Sequence, residues 1–180
     1  MASLDSALIA IERACGSGSV IRDASLLEGY ARDESEVEPC MPEAVVRASS
    51  TADVSAVMKA AYQHEIPVTP RGGGTGRVGG AVPVPGGIVL AFDRMNAIEG
   101  IDKNELTTTV QPGVITGDLK RVAEEEQLFY PPDPNSRDSC AIGGNLAANA
   151  GGPRAFKYGV TREYVMGMDV VMADGTILKL

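Results

Sequence analysis

Glycine is concentrated where the backbone, rather than side chains, would have to hold a ligand. Residues 70–80 read PRGGGTGRVGG, directly after a predicted strand, and a second glycine-rich stretch, SCAIGGNLAANAGG, occupies residues 139–152. Consecutive amides with the conformational freedom of glycine turn their N–H groups inward, which forms a concave nest for phosphate oxygens without a lysine. Thr75 adds a hydroxyl donor. This pattern predicts recognition of a phosphate or diphosphate.

Two common phosphate motifs do not fit the first stretch. Gly74, Gly76 and Gly79 satisfy GxGxxG, and Asp93 follows at about the spacing of a Rossmann ribose carboxylate. The loop continues into VPVPGG, however, so no helix opens from it toward the phosphates. A Walker A loop requires Gly-Lys-Ser/Thr, whereas this loop reads Gly-Arg-Val. For this stretch alone, a flexible surface loop between strands is the alternative interpretation.

The second stretch predicts a short helix with bare backbone at both of its ends. Asn145 and Asn149 are four residues apart and are expected to share a helix face, and the upstream Pro131–Pro134 segment forms a stiff wall. A flat ligand would find room against such a backbone. Taken alone, the stretch is better explained by a helix of small residues that packs tightly on a sheet, with glycines that permit the close approach.

Composition and charge exclude several classes of function. The formal net charge is −8, so no basic field attracts nucleic acid or an anionic membrane surface. The single histidine, His64, is expected at the exposed end of a helix, and no metal site is predicted. Cys15, Cys40 and Cys140 are widely spaced and odd in number, which favours reduced thiols in the cytosol over a disulfide framework.

The first residues, MASLDSALIAIERACG, carry acidic residues inside the apolar stretch and no basic leader, so they predict an amphipathic helix rather than a signal peptide. No apolar run approaches the length needed to cross a membrane. The expectation is a soluble, cytoplasmic protein without an integral membrane segment.

Hydrophobic periodicity predicts a βαβ unit in the first half of the chain. An amphipathic helix over residues 3–14 is followed by a polar, irregular stretch that ends at Pro42. A helix capped by Ser50, Thr51 or Asp53 then separates two strands, which are expected to be parallel. The predicted strands of this half are 44–48, 66–69 and 88–92.

The second half predicts two hairpins and a helix. One hairpin begins near residue 98 and turns at Lys103 and Asn104, and the other turns at Ala173-Asp174-Gly175. Between them, Ile115, Leu119, Val122 and Ala123 mark a helix. We expect three regions, namely 1–42, 43–97 and 98–180, with the last one incomplete because the sequence stops within a strand.

The order of these motifs resembles one flavoprotein family. The segments PVTPRGGGTG, LFYPPDP, CAIGGNLAANAGG and KYGVTREYVMGMDVV are similar, in that order, to the FAD-binding PCMH-type domain of the vanillyl-alcohol oxidase family. Within that family they most resemble the glycolate oxidase D-subunit and the D-lactate and D-2-hydroxyglutarate dehydrogenases. The resemblance covers most of residues 40–180 and implies an α+β fold, a PCMH-type domain of two α/β subdomains with the cofactor between them.

The resemblance also implies which residues contact FAD. The first stretch would wrap the diphosphate through main-chain amides, a proline-containing segment would follow the flavin and ribityl chain, and the small residues of the second stretch would complete the cleft. The cofactor-binding residues implied are Pro70, Arg71, Gly72, Gly73, Gly74, Thr75, Gly76, Gly79, Gly80, Pro132, Asp133, Ser139, Cys140, Gly143, Gly144, Ala147, Ala148 and Asn149.

Family members of this kind transfer a hydride from the α-carbon of a 2-hydroxy acid to FAD and yield the 2-oxo acid. The implied substrate is therefore a small 2-hydroxy acid, and an electron-transfer partner subunit is an additional expectation. No catalytic residue is assigned, because the base, the carboxylate-binding arginine and any metal ligands are expected in a substrate domain beyond residue 180. The first stretch contains no histidine or cysteine for a covalent link, so noncovalent FAD is expected.

Three other interpretations remain open from the sequence. A relative with the same flavin module would oxidise another alcohol, such as an aryl alcohol or a sugar acid. A noncatalytic subunit would hold flavin or another nucleotide for an electron-transfer complex. The third interpretation is an α/β structural domain whose glycine loops bind no ligand.

Overall fold

The computed structural model describes residues 2–180, which form an α+β fold built on one four-stranded sheet and two hairpins. The helices of the first half are α1 (Ala2–Cys15), α2 (Ala24–Leu27) and α3 (Thr51–Gln63). The strands of the first half are β1 (Val20–Ile21), β2 (Ala44–Arg47), β3 (Val68–Arg71) and β4 (Ile88–Ala91). Their order in the sheet is β1-β2-β4-β3, with β1 antiparallel to β2 and the other pairs parallel.

The β2-α3-β3 unit is parallel as predicted, and β4 lies between its two strands. All four residues of β4 are buried, as expected for a strand that is covered on both faces. The Ser50 hydroxyl caps α3 by accepting from the Asp53 amide at 3.1 Å. The buried α3 residues Val54 and Val57 face a core that also contains Leu8 and Ile11 of α1.

Two predictions about this half were wrong in detail. The second strand begins at Val68 rather than at residue 66, because the Ile66 amide donates to the Ala61 carbonyl and so ends α3. The stretch before Pro42 is not irregular, because it contains β1, α2 and a 3₁₀ turn at Glu28–Tyr30. Strands and helices this short carry no hydrophobic period that sequence analysis could detect.

The second half contains the elements β5 (Ile98–Asp102), β6 (Thr107–Val110), α4 (Thr116–Glu125), α5 (Ile142–Ala148), α6 (Ala155–Tyr158), β7 (Asp169–Val171) and β8 (Ile177–Lys179). A 3₁₀ turn at Thr161–Tyr164 precedes β7. Both predicted hairpins are confirmed, as the antiparallel pairs β5–β6 and β7–β8.

A small second core joins α4 to α5. Val114, Leu119 and Ile142 are buried together, with Ile98 and Tyr130 packed against them. The β7–β8 hairpin instead contacts the first half, where the Ser55 hydroxyl of α3 donates to the Gly175 carbonyl at 2.6 Å. This hairpin of the predicted region 98–180 therefore packs against the predicted region 43–97. The three-region division stays a prediction.

The predicted shared helix face of Asn145 and Asn149 is wrong. Helix α5 ends at Ala148, and Asn149 adopts the left-handed conformation with φ 49° and ψ 51°. An asparagine in this conformation is a common way to end a helix, because its side chain tolerates positive φ. Asn149 thus terminates the helix rather than extending its face.

No helix within residues 2–180 combines the length and apolar character needed to cross a membrane.

The central position of β4 predicts where the fold is most sensitive to truncation of a side chain. Leu90 is 1% exposed and lies in this strand. We expect Leu90→Ala to lower the free energy of unfolding by about 2–5 kcal/mol, because a cavity would remain in a core that is packed from both faces. Urea unfolding followed by circular dichroism measures this loss.

The matched control is Leu26→Ala in α2, because the Leu26 side chain is 55% exposed. We expect this variant to change the free energy of unfolding by no more than about 0.5 kcal/mol. Equal losses from the two variants would contradict the assignment of β4 to the centre of the core.

Candidate functional site

The two glycine-rich stretches lie against each other. A Cβ added to Gly72 would lie 3.0 Å from the Ala141 Cβ and 3.8 Å from the Gly144 nitrogen. A Cβ added to Gly73 would lie 3.2 Å from the Cys140 Cα and would overlap the Ser139 carbonyl oxygen. Glycine is therefore required at 73 for the two backbones to approach this closely, and at 72 a Cβ would be a tight fit.

The loop between β3 and β4 holds a run of main-chain N–H groups that have no acceptor in the protein. Within residues 2–180, none of the amides from Gly72 to Gly80 donates a hydrogen bond to a protein group. Gly74 and Gly79 have positive φ values of 69° and 77°, which bend this run. Unpartnered amides in a curved segment are suited to an anion, since they supply partial positive charge without a basic side chain.

Pro70 and Arg71 lie in β3 rather than in the loop. Proline has no N–H group, so the run of free amides begins at Gly72 and Pro70 contributes no donor to it. The Arg71 guanidinium donates to the carbonyls of Arg32 at 2.7 Å, Gly29 at 3.2 Å and Ala81 at 3.3 Å. Its hydrogen bonds are thus made to the protein backbone around the loop.

Asp33 is a buried carboxylate beside the same loop. Its Oδ1 accepts from the Ser35 amide at 2.9 Å, and its Oδ2 accepts from the Ala81 amide at 3.3 Å. Burial is the largest single influence on the pKa of Asp33 and raises it, but these hydrogen bonds and the nearby charge of Arg71 outweigh burial. The pKa of Asp33 therefore lies below its usual value, and the carboxylate is ionised at neutral pH.

A second buried carboxylate, Asp133, joins three cations. Its Oδ1 lies 3.0 Å from the Lys120 Nζ and 3.1 Å from a terminal nitrogen of Arg137, and its Oδ2 lies 3.3 Å from the Arg154 Nε. The hydrogen bond from Lys120 is the largest influence on the pKa of Asp133, which falls below its usual value although burial acts in the opposite direction.

The Asp133 backbone is also fixed against the end of the second stretch. Its amide donates to the Gly151 carbonyl at 3.0 Å, and a Cβ added to Gly152 would overlap the Asp133 carbonyl oxygen. Pro132 is fully buried beside it, and its carbonyl accepts from the Lys120 Nζ at 3.2 Å. The carboxylate of Asp133 thus organises the protein around the cleft.

The remaining residues of the second stretch divide into packed and open positions. Cys140 is buried, with its Sγ 3.2 Å from the Thr116 hydroxyl oxygen, which also accepts from the side-chain amide of Asn145. The Cys140 side chain is therefore packed inside the protein. A Cβ added to Gly143 would lie 2.8 Å from the Pro112 Cβ, so this glycine permits close packing.

Other positions in this stretch face open space. A Cβ added to Gly144 would meet no atom within 4 Å, and Ser139, Ala147 and Ala148 are exposed. The Asn149 side-chain oxygen accepts from the Arg162 amide at 3.1 Å, so this residue links α5 to the following turn. The exposed small residues leave the surface beside Gly72 and Gly73 uncovered.

A cavity of about 510 Å³ is lined by residues 32–39, a segment that contacts the glycine loop at Gly76 and Gly79. This segment includes Asp33, Glu34, Glu36 and Glu38. Four carboxylates repel a diphosphate, whereas the amides of the loop attract it. The amides are therefore the better candidate for anion binding, although the cavity is large.

Sequence analysis missed the residues that hold the loops in place. Asp33 lies in a stretch that was predicted to be irregular, and Lys120 occupies a buried position of α4 although lysine is rarely buried. Arg137 had no motif around it. Only Lys120 gave any signal, since it lies next to Leu119 on the apolar side of a predicted amphipathic helix.

Comparison with known proteins identifies the family. A model of the FAD-binding domain family, described as "FAD binding domain", matches residues 42–180. The chain belongs to this family. The resemblance inferred from the motifs, and the α+β fold that it implied, are thereby confirmed.

Curated relatives and a solved structure agree with this assignment. Glycolate oxidase subunit GlcD of Bacillus subtilis is 47% identical over 150 residues, which cover 83% of this chain and 32% of that protein. D-lactate dehydrogenase of Anaerostipes hadrus is 46% identical over 154 residues, which cover 85% and 32%. The structure of p-cresol methylhydroxylase superimposes with a TM-score of 0.85 at 26% identity, covering 99% of this chain and 35% of that one. The chain thus spans about a third of the length of these relatives.

The buried Asp133 cluster predicts a pH-dependent contribution to stability. Because the pKa of Asp133 is lowered on folding, its stabilising effect is complete above the ordinary aspartate pKa of about 3.9 and is lost as the pH falls through the lower native pKa. At pH 7 we expect Asp133→Asn to cost about 3 kcal/mol, because the buried Lys120 ammonium loses its counterion.

Urea unfolding of both proteins between neutral pH and pH 3 measures the difference, which should shrink below about pH 4. Asp138→Asn is the control, since the Asp138 side chain is 84% exposed. A difference that stays constant across this range would show that the effect of Asp133→Asn is independent of charge.

Proposed function

We propose that this chain forms part of a noncovalent FAD site in which the amides of Gly72–Gly80 bind the cofactor's diphosphate. The observation that carries the proposal is the unbroken run of N–H groups in this loop that find no acceptor among residues 2–180. A diphosphate presents several oxygen acceptors along a short chain, which such a run matches. Membership of the FAD-binding domain family supports FAD as the ligand that contains this diphosphate.

The local electrostatics explain how an acidic protein would hold an anionic cofactor. The net charge of −8 opposes approach of FAD at long range. At contact distance the N–H dipoles would dominate, because they would lie within hydrogen-bonding range of the phosphate oxygens. Thr75, which is partly exposed in the middle of the run, supplies a further donor.

The second stretch would line the same cleft. Its backbone approaches Gly72 and Gly73 directly, and its exposed positions carry small side chains that leave room for a flat ligand. Ser139, Gly144, Ala147 and Ala148 are the positions open enough to contact the cofactor. Pro132, Asp133, Cys140, Gly143 and Asn149 are buried or engaged in internal contacts, so we expect them to shape the cleft.

We further propose that the whole protein oxidises a small 2-hydroxy acid to the 2-oxo acid. Support comes from the relatives above, which are named as a glycolate oxidase subunit and a D-lactate dehydrogenase. In such a reaction the flavin supplies the hydride acceptor. Residues 2–180 would bind and orient FAD, and other parts of the protein would bind the acid's carboxylate and hydroxyl.

We also propose a cytoplasmic location and, because one relative is named as a subunit, an electron-transfer partner.

Noncovalent attachment is consistent with the position of Cys140. This thiol is 4% exposed and packs on the Thr116 hydroxyl, so it does not face the open side of the cleft. Acid precipitation of the flavin-loaded protein should therefore release FAD into the supernatant. Yellow colour retained by the washed precipitate would contradict noncovalent binding.

Substitution of Gly73 tests the diphosphate site. An added Cβ would overlap the Ser139 carbonyl oxygen, so Gly73→Ala should force the two stretches apart. We expect about 1–3 kcal/mol of destabilisation and loss of FAD binding, measured by urea unfolding and by flavin fluorescence titration of the full-length protein. Gly29→Ala is the stability control, because its added Cβ meets no atom within 4 Å and its unfolding should change by no more than about 0.5 kcal/mol. Unchanged FAD affinity in folded Gly73→Ala would argue against this site.

The substrate class is tested with the full-length, FAD-loaded protein under anaerobic conditions. Addition of glycolate, D-lactate or D-2-hydroxyglutarate should bleach the flavin absorbance in at least one case, whereas the corresponding 2-oxo acids should not. The isolated residues 1–180 should show no such bleaching. Bleaching by an aryl alcohol alone would assign another substrate class, and bound FAD that no alcohol reduces would favour a noncatalytic electron-transfer subunit.

A further inference from the structure

A segment that precedes the family match packs along the outside of the glycine loop. We call residues 29–37 the N-terminal brace. The family model begins at residue 42, so the brace lies outside it. The Glu34 amide of the brace donates to the Gly76 carbonyl at 2.9 Å, and a Cβ added to Gly79 would lie 2.7 Å from the Val37 Cγ2. The brace therefore contacts the loop at two separate points.

Arg71 connects the brace to both ends of the loop. It follows Pro70 in β3, and its guanidinium bridges the Gly29 and Arg32 carbonyls of the brace and the Ala81 carbonyl just after the loop. The guanidinium also lies 5.5 Å from the centre of the Tyr30 ring. A Cβ added to Gly74 would overlap this guanidinium, so the loop folds directly over it. Within residues 2–180, every hydrogen bond that the Arg71 guanidinium donates goes to a backbone carbonyl rather than to a charged group.

Asp33 forms the second connection. Its two carboxylate oxygens accept from two different amides, that of Ser35 within the brace and that of Ala81 at the end of the loop. A Cβ added to Gly76 would lie 3.6 Å from the Asp33 Oδ2, which places the carboxylate directly beside the run of free amides. A buried anion at this position repels a diphosphate, so its presence is explained by its hydrogen bonds and not by charge attraction.

A loop of this composition needs external support. Glycine loses more conformational freedom on ordering than any other residue, and adjacent N–H dipoles that point the same way repel one another. Within residues 2–180 the amides from Gly72 to Gly80 make no hydrogen bonds of their own to hold the loop in shape. The contacts at Gly74, Gly76, Gly79 and Ala81 come from Arg71 and the brace.

We propose that Asp33 and Arg71 are positioning residues, which hold the amides of Gly72–Gly80 in the shape that binds the diphosphate of FAD. The inference rests on the proposed FAD site and extends that site to the N-terminal brace. Preorganisation of a site raises affinity because the cost of ordering it is met during folding rather than on binding.

The effect of Asp33→Asn on FAD affinity separates a positioning role from simple electrostatics, because the two predict changes in opposite directions. Asp33→Asn removes a negative charge beside the diphosphate, so electrostatics alone would strengthen FAD binding. The amide of asparagine offers one acceptor oxygen in place of two, so the variant loses a hydrogen bond to either Ser35 or Ala81. If Asp33 positions the loop, the Kd for FAD rises, by about tenfold for a loss comparable with one charge-assisted hydrogen bond.

The experiment measures the Kd for FAD with the full-length protein and its Asp33→Asn, Arg71→Met and Arg71→Lys variants. Hydrogen–deuterium exchange of the cofactor-free proteins is measured in parallel over residues 72–81 and over α3. We expect all three variants to bind FAD about tenfold or more weakly, with faster exchange in residues 72–81 and unchanged exchange in α3. Arg71→Lys should not restore affinity, because a lysine cannot bridge three carbonyls in the plane of a guanidinium. Arg13→Met is the charge control, since Arg13 is exposed on α1, and its Kd should match that of the parent.

The outcomes are distinguishable. An Asp33→Asn variant that binds FAD as tightly as the parent, or more tightly, would overturn the inference. Full rescue by Arg71→Lys would assign Arg71 a purely electrostatic role and would overturn its part of the inference. Faster exchange throughout α3 would indicate general destabilisation, which also contradicts a local positioning role. If the parent protein itself binds no FAD, the proposed function fails first.

Discussion

Close approach of two backbones is the constraint on which the site depends. Gly72 and Gly73 have no side chains, and this alone allows the loop after β3 to reach Ser139–Gly144. A Cβ at Gly73 would overlap the Ser139 carbonyl oxygen, and a Cβ at Gly72 would crowd the Ala141 side chain. In the part of the chain that the structure describes, the N–H groups of the same loop have no protein acceptor. The same glycines therefore permit the close packing and carry some of the N–H groups that we propose bind the cofactor.

Buried ionic contacts keep the walls of this cleft in position. Asp133 joins α4 to the segments on either side of α5 through Lys120, Arg137 and Arg154, and Asp33 joins the N-terminal brace to the end of the glycine loop. Both carboxylates have lowered pKa values, which reflect the donors that surround them. Removing one partner of such a group leaves an uncompensated buried charge, which destabilises the folded state.

The sequence predicted the parts of the fold that follow from regular patterns. The βαβ unit, both hairpins and the cap at Ser50 follow from hydrophobic period and from turn and capping residues. The two glycine stretches were predicted to share a cleft, and Gly72 does contact Ala141. Whether their amides bind a cofactor stays a prediction. The sequence could not predict how Asp33, Arg71 and Lys120 contact the loops. Their hydrogen bonds to Ala81 and Pro132 join residues 10 to 48 positions apart, so they depend on tertiary packing. The end of α5 at Asn149 depended on one backbone angle that asparagine tolerates but does not require.

The order of strands in the main sheet gives the glycine loop a role in assembly as well. Strand β4 is the only hydrogen-bonded neighbour of β3 within residues 2–180, and it also forms the parallel pair with β2. The polypeptide must therefore reverse through residues 72–87 before β3 acquires any partner. Closing a segment of this length costs conformational entropy, and glycine increases that cost. The glycines that allow the loop to approach the second stretch therefore also raise the entropic cost of bringing β4 beside β3.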